Sequence, residues 1–432
     1  MNGTSTDRIL IRGLGGKRQL SGRVPVYGAK NQAIKCIAAS ILYETPLFLS
    51  NMPDIADVLR MNEILETLGV LVERKDKREY RLDSRYVSRF GIDSNLGSRL
   101  RASVVVSGPL LARFGKVSFP HPGGDIIGTR PIDLFLNGFR AMGAKVEDKT
   151  GEYQISAPRG LRGARIVFPI VSVTATETLM MAATLAKGKT ILENSAMEPE
   201  ITALAEMLNY SGAEIEGAGT PRITIKGGRL LRSKRTFKMI PDRIETGSFL
   251  VLAALAGKKV KIEDCMPEHL SVFLSLLSGS GVPMSLTNDS IEVYGDKIKK
   301  GGLKAFNIKT HEYPGFATDL QTPSIVYLTQ TVGEGHVFET VFDGRLSFVG
   351  ELNRMGADIS EWNPHEVIIK GPTPLSGRTL SSPDIRAGLA FLIAGIVAKG
   401  ESRIDNVYHI DRGYEAVEER LQSIGAAVER VK

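Results

Sequence analysis

A short motif recurs six times along the chain: an apolar or small residue, a glycine and then an alternating run. It stands as LGVLVE around Gly69, MGAKVE around Gly143, SGAEIE around Gly212, SGVPMS around Gly281, MGADIS around Gly356 and IGAAVE around Gly425. Successive glycines lie 69 to 75 residues apart, the regularity of a repeat architecture. Before each glycine, apolar residues three and four apart predict an amphipathic helix, as in residues 203–210 and 414–424. The glycine closes that helix as a left-handed cap, and an alternating strand such as 145–147 follows. In the first five units a turn leads to a second strand, as at 153–157, 222–226 and 290–294. A more apolar helix comes next (179–188, 250–257, 389–400) and runs into another strand (190–193, 402–405).

Strands and helices thus alternate six times, which makes this an α/β protein. At 432 residues the chain is too long for one ordinary core. Units too small to bury a core alone group most economically three and three around shared helices. The pattern is interrupted near Pro241, in FKMIPDR. The leading strand at 9–12 matches an unpaired half-repeat in the tail, so the chain is expected to close on itself. The expected domains are 30–241 and 1–29 plus 242–432, each of three βαβαββ-like repeats, with a cleft between them.

Composition narrows the class. The 55 Lys and Arg against 48 Asp and Glu leave a formal charge of +7, with the basic residues dispersed singly apart from RLLRSKRTFK at 229–238. That suits a protein handling anionic metabolites, and no nucleic-acid reader motif accompanies it. Two cysteines, Cys36 and Cys265, cannot form a disulfide framework, and none of the six histidines stands at metal-ligand spacing. A reducing cytoplasm is the expected compartment. The N-terminal MNGTSTDRILIRG lacks the basic and apolar regions of a signal peptide. The most apolar run, 387–398, falls short of the ~20 residues a bilayer requires and reads as a buried helix. No Walker-type phosphate loop, dinucleotide fingerprint or nucleophile elbow is present.

The residues that could carry chemistry cluster at loop positions. HPGGDIIGTRP at 121–131 combines glycines with Asp125 and Arg130. An acid beside an anion-binding guanidinium suits proton transfer to a charged substrate, and a glycine-rich turn with two solvated charges is the alternative. GAKN at 28–31 puts Lys30 and Asn31 at the start of a helix expected over 32–42. A cation there is unfavourable for the helix dipole unless an anion joins it, so Lys30 is a phosphate-site candidate or else a surface lysine. Arg101 enters an apolar helix expected over 104–112 with the same logic. YPGFATDLQTP at 313–323 delivers Asp319 to the head of a helix, as a general base or as an ordinary N-terminal acid. Arg243, Arg345, Arg386 and Arg412 each adjoin an aspartate (Asp242, Asp343, Asp384, Asp411) and suit either anion binding or local ion pairing.

Taken in order, GAKN at 28–31, RAS with GPLLARFG at 101–115, PGGDIIGTRPIDL at 122–134, ENSAMEPEI at 193–201, PDRIETGSFL at 241–250, YPGFATDLQ at 313–321, ETVFDGR at 339–345 and YHIDRGYE at 408–415 span the chain. The sequence they form resembles the enolpyruvyl transferases, in the branch whose acceptor is UDP-N-acetylglucosamine. The resemblance implies two inside-out α/β domains of three repeats each. It also implies transfer of the enolpyruvyl group of phosphoenolpyruvate to the acceptor's 3′-hydroxyl with release of phosphate, at the start of peptidoglycan precursor synthesis. No metal or redox cofactor is implied. By motif, Asp125 would protonate the methylene carbon and Asp319 would take or orient the hydroxyl proton. Lys30, Arg130 and Arg412 would hold the phosphate, with Arg345 and Arg386 on the carboxylate side and Asn31 also at the phosphoenolpyruvate site. Asn31, Arg101, Arg130, Pro131, Ile132, Asp133, Leu134, Val173, Asp319 and Val341 would contact the UDP-sugar.

Two positions depart from the family pattern. Asp125 stands where the family usually has Cys, so a carboxylic acid must do a thiol's work as proton donor, which needs a site that favours its protonated form. The change also removes the thiol that fosfomycin alkylates. Thr174, in SVTATE, stands where the family has Gly beside the expected nucleotide contact. Two other readings remain at this level: the shikimate-3-phosphate branch, whose lysine usually sits in a different local context, and a non-catalytic paralogue that keeps the UDP-sugar site.

Overall fold

The computed structural model describes residues 7–123 and 132–432. They form two compact units, one of residues 7–27 and 241–432, the other of residues 28–123 and 132–240. Each unit contains three small sheets.

Five of the six sheets share one pattern: a parallel edge strand, a central strand, and two antiparallel strands beyond it. The sheet of Ile308–Lys309, Gly333–Phe338, Glu366–Gly371 and Asp358–Asn363 is an example. In the sixth sheet, Lys116–Pro120, Glu152–Ser156 and Lys145–Lys149, the parallel edge is reduced to a single bridge between Gly91 and Ser118. The N-terminal strand Arg8–Arg12 lies between Glu401–Asp405 and Ala427–Val431, antiparallel to both. It supplies the central strand pair that the tail's own half-repeat lacks.

The six recurring glycines all do one job. Each follows an outer helix, with φ between 92° and 108°. The residue after each glycine donates its N–H to the carbonyl five residues back, at 2.9 to 3.1 Å: Val70 to Leu65, Ala144 to Phe139, Ala213 to Leu208, Val282 to Leu277, Ala357 to Leu352 and Ala426 to Leu421. This is the 6→1 bond of a Schellman cap, which requires a left-handed residue before it. The cap turns the chain directly into the next strand.

The second helix of each repeat is buried on all sides, so the units are built with helices inside and sheets outside. In one unit the core helices are Arg243–Ala256, Thr318–Thr329 and Ile385–Val397. Every residue of the first and third is buried, as a helix apolar around its whole circumference must be. In the other unit they are Lys30–Ala39, Ser107–Phe114 and Val173–Ala183. Among the described residues no helix is long and apolar enough to cross a membrane.

The apolar helices expected over 179–188, 250–257 and 389–400 start earlier and end sooner, as Val173–Ala183, Arg243–Ala256 and Ile385–Val397, and three further helix boundaries differ from the sequence reading. The helix expected over 32–42 is α-helical from Lys30 to Ala39 and tightens to a 3₁₀ turn at Ser40–Leu42. The one expected over 104–112 begins as a 3₁₀ turn, Arg101–Val106, and becomes α-helical at Ser107–Phe114. Pro109 lacks an N–H and so sits where the first α-turn needs no donor. The helix expected over 414–424 spans only Val417–Ser423, because Ala416 takes a left-handed conformation with φ 44°. That break frees Tyr414 for the site described next.

Candidate functional site

In the unit containing residues 241–432, the candidate residues gather around one carboxylate. Asp319 is the second residue of the helix Thr318–Thr329. Arg345 Nη2 lies 2.8 Å from its Oδ1. Arg386 donates to Oδ2 through Nε at 3.0 Å and Nη2 at 2.8 Å. Both arginines are buried, whereas the Asp319 side chain keeps 24% of its surface. Burial would raise the pKa of Asp319, but the Arg386 and Arg345 guanidiniums outweigh it and hold the carboxyl well below its ordinary range. Asp319 is therefore a carboxylate at neutral pH, able to accept hydrogen bonds.

Its surroundings fix the arginines. Arg386 Nη1 donates to the Tyr414 hydroxyl at 2.9 Å. Burial and the contact with Arg386 act in opposite directions on that phenol, and burial prevails. Asp384, which the sequence placed as a partner for Arg386, instead caps the helix Ile385–Val397 by accepting the N–H groups of Arg386 and Ala387. Asp242 likewise caps Arg243–Ala256, accepting from Ile244 and Glu245. Asp411 pairs with Arg430 at 2.6 Å. Asp384 and Asp242, each next to a helix start, serve the backbone. Arg412 follows the short helix Tyr408–Asp411 and is buried. The Arg243 guanidinium lies over the Tyr313 ring, 5.6 Å from its centroid.

Glu339 was not singled out by sequence reasoning and organises this half of the site. It is fully buried. One oxygen accepts from the Thr310 hydroxyl at 2.9 Å and from the backbone N–H groups of Val341 and Phe342 at 2.8 and 3.2 Å. The other accepts from the Thr318 hydroxyl at 2.8 Å. One carboxylate thus ties the helix carrying Asp319 to the segment carrying Val341 and, beyond it, Arg345. The ETVFDGR motif contained the signal, but only the fold brings Thr310 and Thr318 to it.

In the other unit, Lys30 is the first residue of its helix, which has neither an acid in its first turn nor a side-chain cap. Its ammonium lies 2.7 Å from Asp57 Oδ2, with both side chains buried. The countercharge that a cation at a helix start requires is thus present within the chain. Asp57 lies in the first turn of the helix Ala56–Leu68, too far along the sequence for spacing to have paired it with Lys30. Gly28 is required by packing: a Cβ there would lie 1.8 Å from the Asn51 carbonyl oxygen. Asn31, the next residue of the helix, is only partly buried.

Asp125, Arg130 and Pro131 lie outside the described residues. What precedes them is well anchored. Arg101 Nη1 reaches the Pro122 carbonyl at 3.5 Å, and a Cβ on Gly123 would lie 2.2 Å from the Ser98 carbonyl oxygen. Beyond them, Ile132 is buried at the start of the helix Asp133–Ala141, with Asp133 exposed and Leu134 partly buried. Val173 begins the helix Val173–Ala183, whose N-cap Ser172 accepts from the Ala175 N–H at 3.2 Å. Thr174 is accommodated as the second residue of that helix. Cys36 and Cys265 are free and buried, and burial pushes both thiols up, that of Cys265 to about 12.

A chain of six repeats in two units, with helices inside and sheets outside and an acid held by paired guanidiniums, has the architecture of a carboxyvinyl transferase. Residues 14–421 match the family model described as EPSP synthase (3-phosphoshikimate 1-carboxyvinyltransferase), and the chain belongs to this family. Within it, the chain is 43% identical over 429 residues to the UDP-N-acetylglucosamine 1-carboxyvinyltransferase of Caulobacter sp. (strain K31), covering 99% of this chain and 98% of that one. It is 42% identical over 426 residues to the enzyme of the same name from Desulforapulum autotrophicum, covering 99% and 100%. Among solved structures, the enolpyruvyl transferase NikO from Streptomyces tendae superposes with a TM-score of 0.87 at 22% identity, over 98% of this chain and 99% of that one. EPSP synthase from Acinetobacter baumannii superposes with a TM-score of 0.76 at 18% identity, over 99% and 100%. These structures share the fold.

Proposed function

We propose a residue-by-residue division of labour for an enolpyruvyl transferase that moves the enolpyruvyl group of phosphoenolpyruvate onto the 3′-hydroxyl of UDP-N-acetylglucosamine. Asp125 gives its proton to the methylene carbon, which becomes a methyl group and leaves C2 electron-poor. The sugar hydroxyl adds to C2, and Asp319 accepts or orients the proton it sheds. Collapse of the tetrahedral adduct breaks the C–O bond to phosphate, returns a methyl proton to Asp125 and restores the double bond; the hydroxyl proton leaves with phosphate. Lys30, Arg130 and Arg412 hold the phosphoryl group, Arg345 and Arg386 the carboxylate, and Asn31 also contacts phosphoenolpyruvate. The UDP-sugar is contacted by Asn31, Arg101, the segment 130–134, Val173 and Val341, as well as Asp319.

The observation that carries this reading is the clamp on Asp319. Two guanidiniums already fixed on one carboxylate need little reorganisation to stabilise a second anion as the adduct forms and collapses. The same clamp keeps Asp319 ionised, ready to accept from the hydroxyl. The enzyme works in the cytoplasm and supplies peptidoglycan assembly, and through it cell growth, shape and division. Phosphate release from phosphoenolpyruvate tests the reading, with UDP-N-acetylglucosamine and shikimate 3-phosphate compared as acceptors. Release with the UDP-sugar only, lost in Asp125→Asn, is the expected result. Release with shikimate 3-phosphate would overturn the acceptor, and binding of the UDP-sugar without any release would leave a non-catalytic paralogue.

A further inference from the structure

Among the described residues, two buried ion pairs serve no step of the proposed reaction, Lys35–Glu177 and Arg420–Glu245. Lys35 and Glu177 face each other between two core helices of one unit, Nζ to Oε2 at 3.0 Å, with 9% and 0% of their side-chain surfaces exposed. Lys35 lies on the helix Lys30–Ala39, five residues past Lys30 and four past Asn31. Glu177 lies on Val173–Ala183, four residues past Val173. The pair therefore joins the two helices about one turn below the ends that carry three of the proposed substrate contacts.

As a source of stability the pair is a weak choice. Two apolar side chains of similar volume at a buried contact are often as stable as an ion pair or more so, because neither charge must be stripped of water. The two helices otherwise bury mainly apolar side chains, Ala33, Ile34, Ile37, Leu179 and Met180 among them, with Gln32, Thr176 and Thr178 as buried polar neighbours in sequence. Nor is Glu177 well supported, since among the described residues no backbone or hydroxyl donor accompanies its contact with Lys35. The Arg420–Glu245 pair of the other unit differs in this respect. There the 2.6 Å contact is joined by donation from Arg420 to the Pro25 carbonyl and from the Tyr27 N–H to Glu245. What an isolated buried pair does supply is register, because sliding either helix leaves a charge unpaired.

We propose that Lys35 and Glu177 are positioning residues for acceptor binding: their contact sets the register of the Lys30–Ala39 helix against the Val173–Ala183 helix, and with it the placement of Asn31 relative to Val173. The proposal rests on the assignment of those two residues to the UDP-sugar. The charged and titratable groups acting on the pair come from three elements. Lys35 and the Cys36 thiol lie on one helix, Glu177 on the second, and Glu198 and Glu200 at the start of the helix Pro199–Tyr210. Burial pushes the Glu177 carboxyl up to about 7, with Lys35 opposing and Glu200 and Glu198 adding to it. The contact therefore weakens as the pH falls through neutrality.

Steady-state kinetics at pH 6 to 8.5 on the full-length enzyme test this, with both substrates varied in turn. In the parent enzyme the KM for UDP-N-acetylglucosamine is expected to rise several-fold as the pH falls from 8 to 6. In Glu177→Gln that KM is expected to be raised about tenfold at pH 8 and to lose its pH dependence, with the KM for phosphoenolpyruvate within twofold. Lys35→Arg should restore most of the parent behaviour. The double variant Lys35→Met, Glu177→Leu removes both charges and guards against a folding defect; it is expected to melt at or above the parent temperature and still show the raised acceptor KM. A double variant with the parent's acceptor KM would reduce the pair to packing and overturn the proposal while leaving the function intact. A parent enzyme that neither binds nor turns over the UDP-sugar would overturn both together.

Discussion

Asp319 and Glu177 begin from the same physics and end on opposite sides of the carboxylate range. Each sits at a core helix facing cationic groups, and for each burial alone raises the pKa. Asp319 meets two guanidiniums through three close contacts and is held well below its ordinary value. Glu177 meets one ammonium, with two further carboxylates nearby, and is pushed up to about 7. The difference lies in the count and geometry of cations. Arginine's fork can grip a carboxylate at two points, whereas lysine offers a single point charge. Asp319 is thus fixed as an ion and suits a role as acceptor, while Glu177 sits where a small change in surroundings shifts its charge. Asp125, as proton donor, would have to resemble Glu177 more than Asp319.

The largest expected effect comes from testing that requirement. Asp125→Asn should lower turnover by about 10²–10⁴-fold, the ordinary range for removing a general acid, measured by phosphate release at saturating substrates. Parent protein treated with fosfomycin should retain activity and show no mass increase, since Asp125 offers no thiol and both cysteines are buried with their thiols pushed up. A stoichiometric adduct would contradict the proton-donor assignment.

Dismantling the clamp comes next. Arg386→Met leaves Asp319 with Arg345 alone and removes the donor to Tyr414. The expected cost is roughly 10²–10³-fold in kcat, with destabilisation of about 3 kcal/mol from breaking a buried pair, read by calorimetric melting. An enzyme with unchanged kcat would show the clamp to be structural only. A smaller effect is expected for Glu339→Gln, which keeps the volume but turns one acceptor oxygen into a donor facing hydroxyl and backbone N–H groups. A loss of about 1–3 kcal/mol follows from the mismatch, and the acceptor KM should rise through Val341.

How much of this could be read from the sequence depended on the range of the interaction. The six caps were legible because the glycine, the helix before it and the strand after it are contiguous. The core helices were legible because residues such as 387–398 are apolar all round. Asp319 could be picked out by its loop, but its partners Arg345 and Arg386 could not be distinguished from arginines with a local aspartate, and the aspartates beside Arg243 and Arg386 proved to cap helices. Asp57, Glu339 and Tyr414 were missed because each meets a side-chain partner more than 20 residues away, beyond any local spacing, and Lys35 and Glu177 because they meet only when distant repeats pack. The helix at 414–424 was overextended because apolar spacing carries no sign of the left-handed Ala416.

The comparison also predicts opposite contributions to stability against pH, the smallest effect and the one that isolates each carboxylate. Glu177 has a folded pKa above its unfolded value, so the folded state holds more protons across that interval. Its contribution is fully present below about pH 4.3, the unfolded value, and is lost as the pH rises through about 7. Asp319 has a folded pKa below its unfolded value, so its contribution is present above about pH 3.9 and is lost only as the solution becomes more acid. Denaturant melts of the ligand-free protein should therefore show Glu177→Gln removing a fall in stability on the order of 1–3 kcal/mol between pH 5 and 8. Asp319→Asn should leave that fall in place and alter only the acid limb below pH 4. If both variants changed the same limb, the two carboxylates would not be held apart by their cations, and the distinction between an ionised acceptor and a titrating pair would be lost.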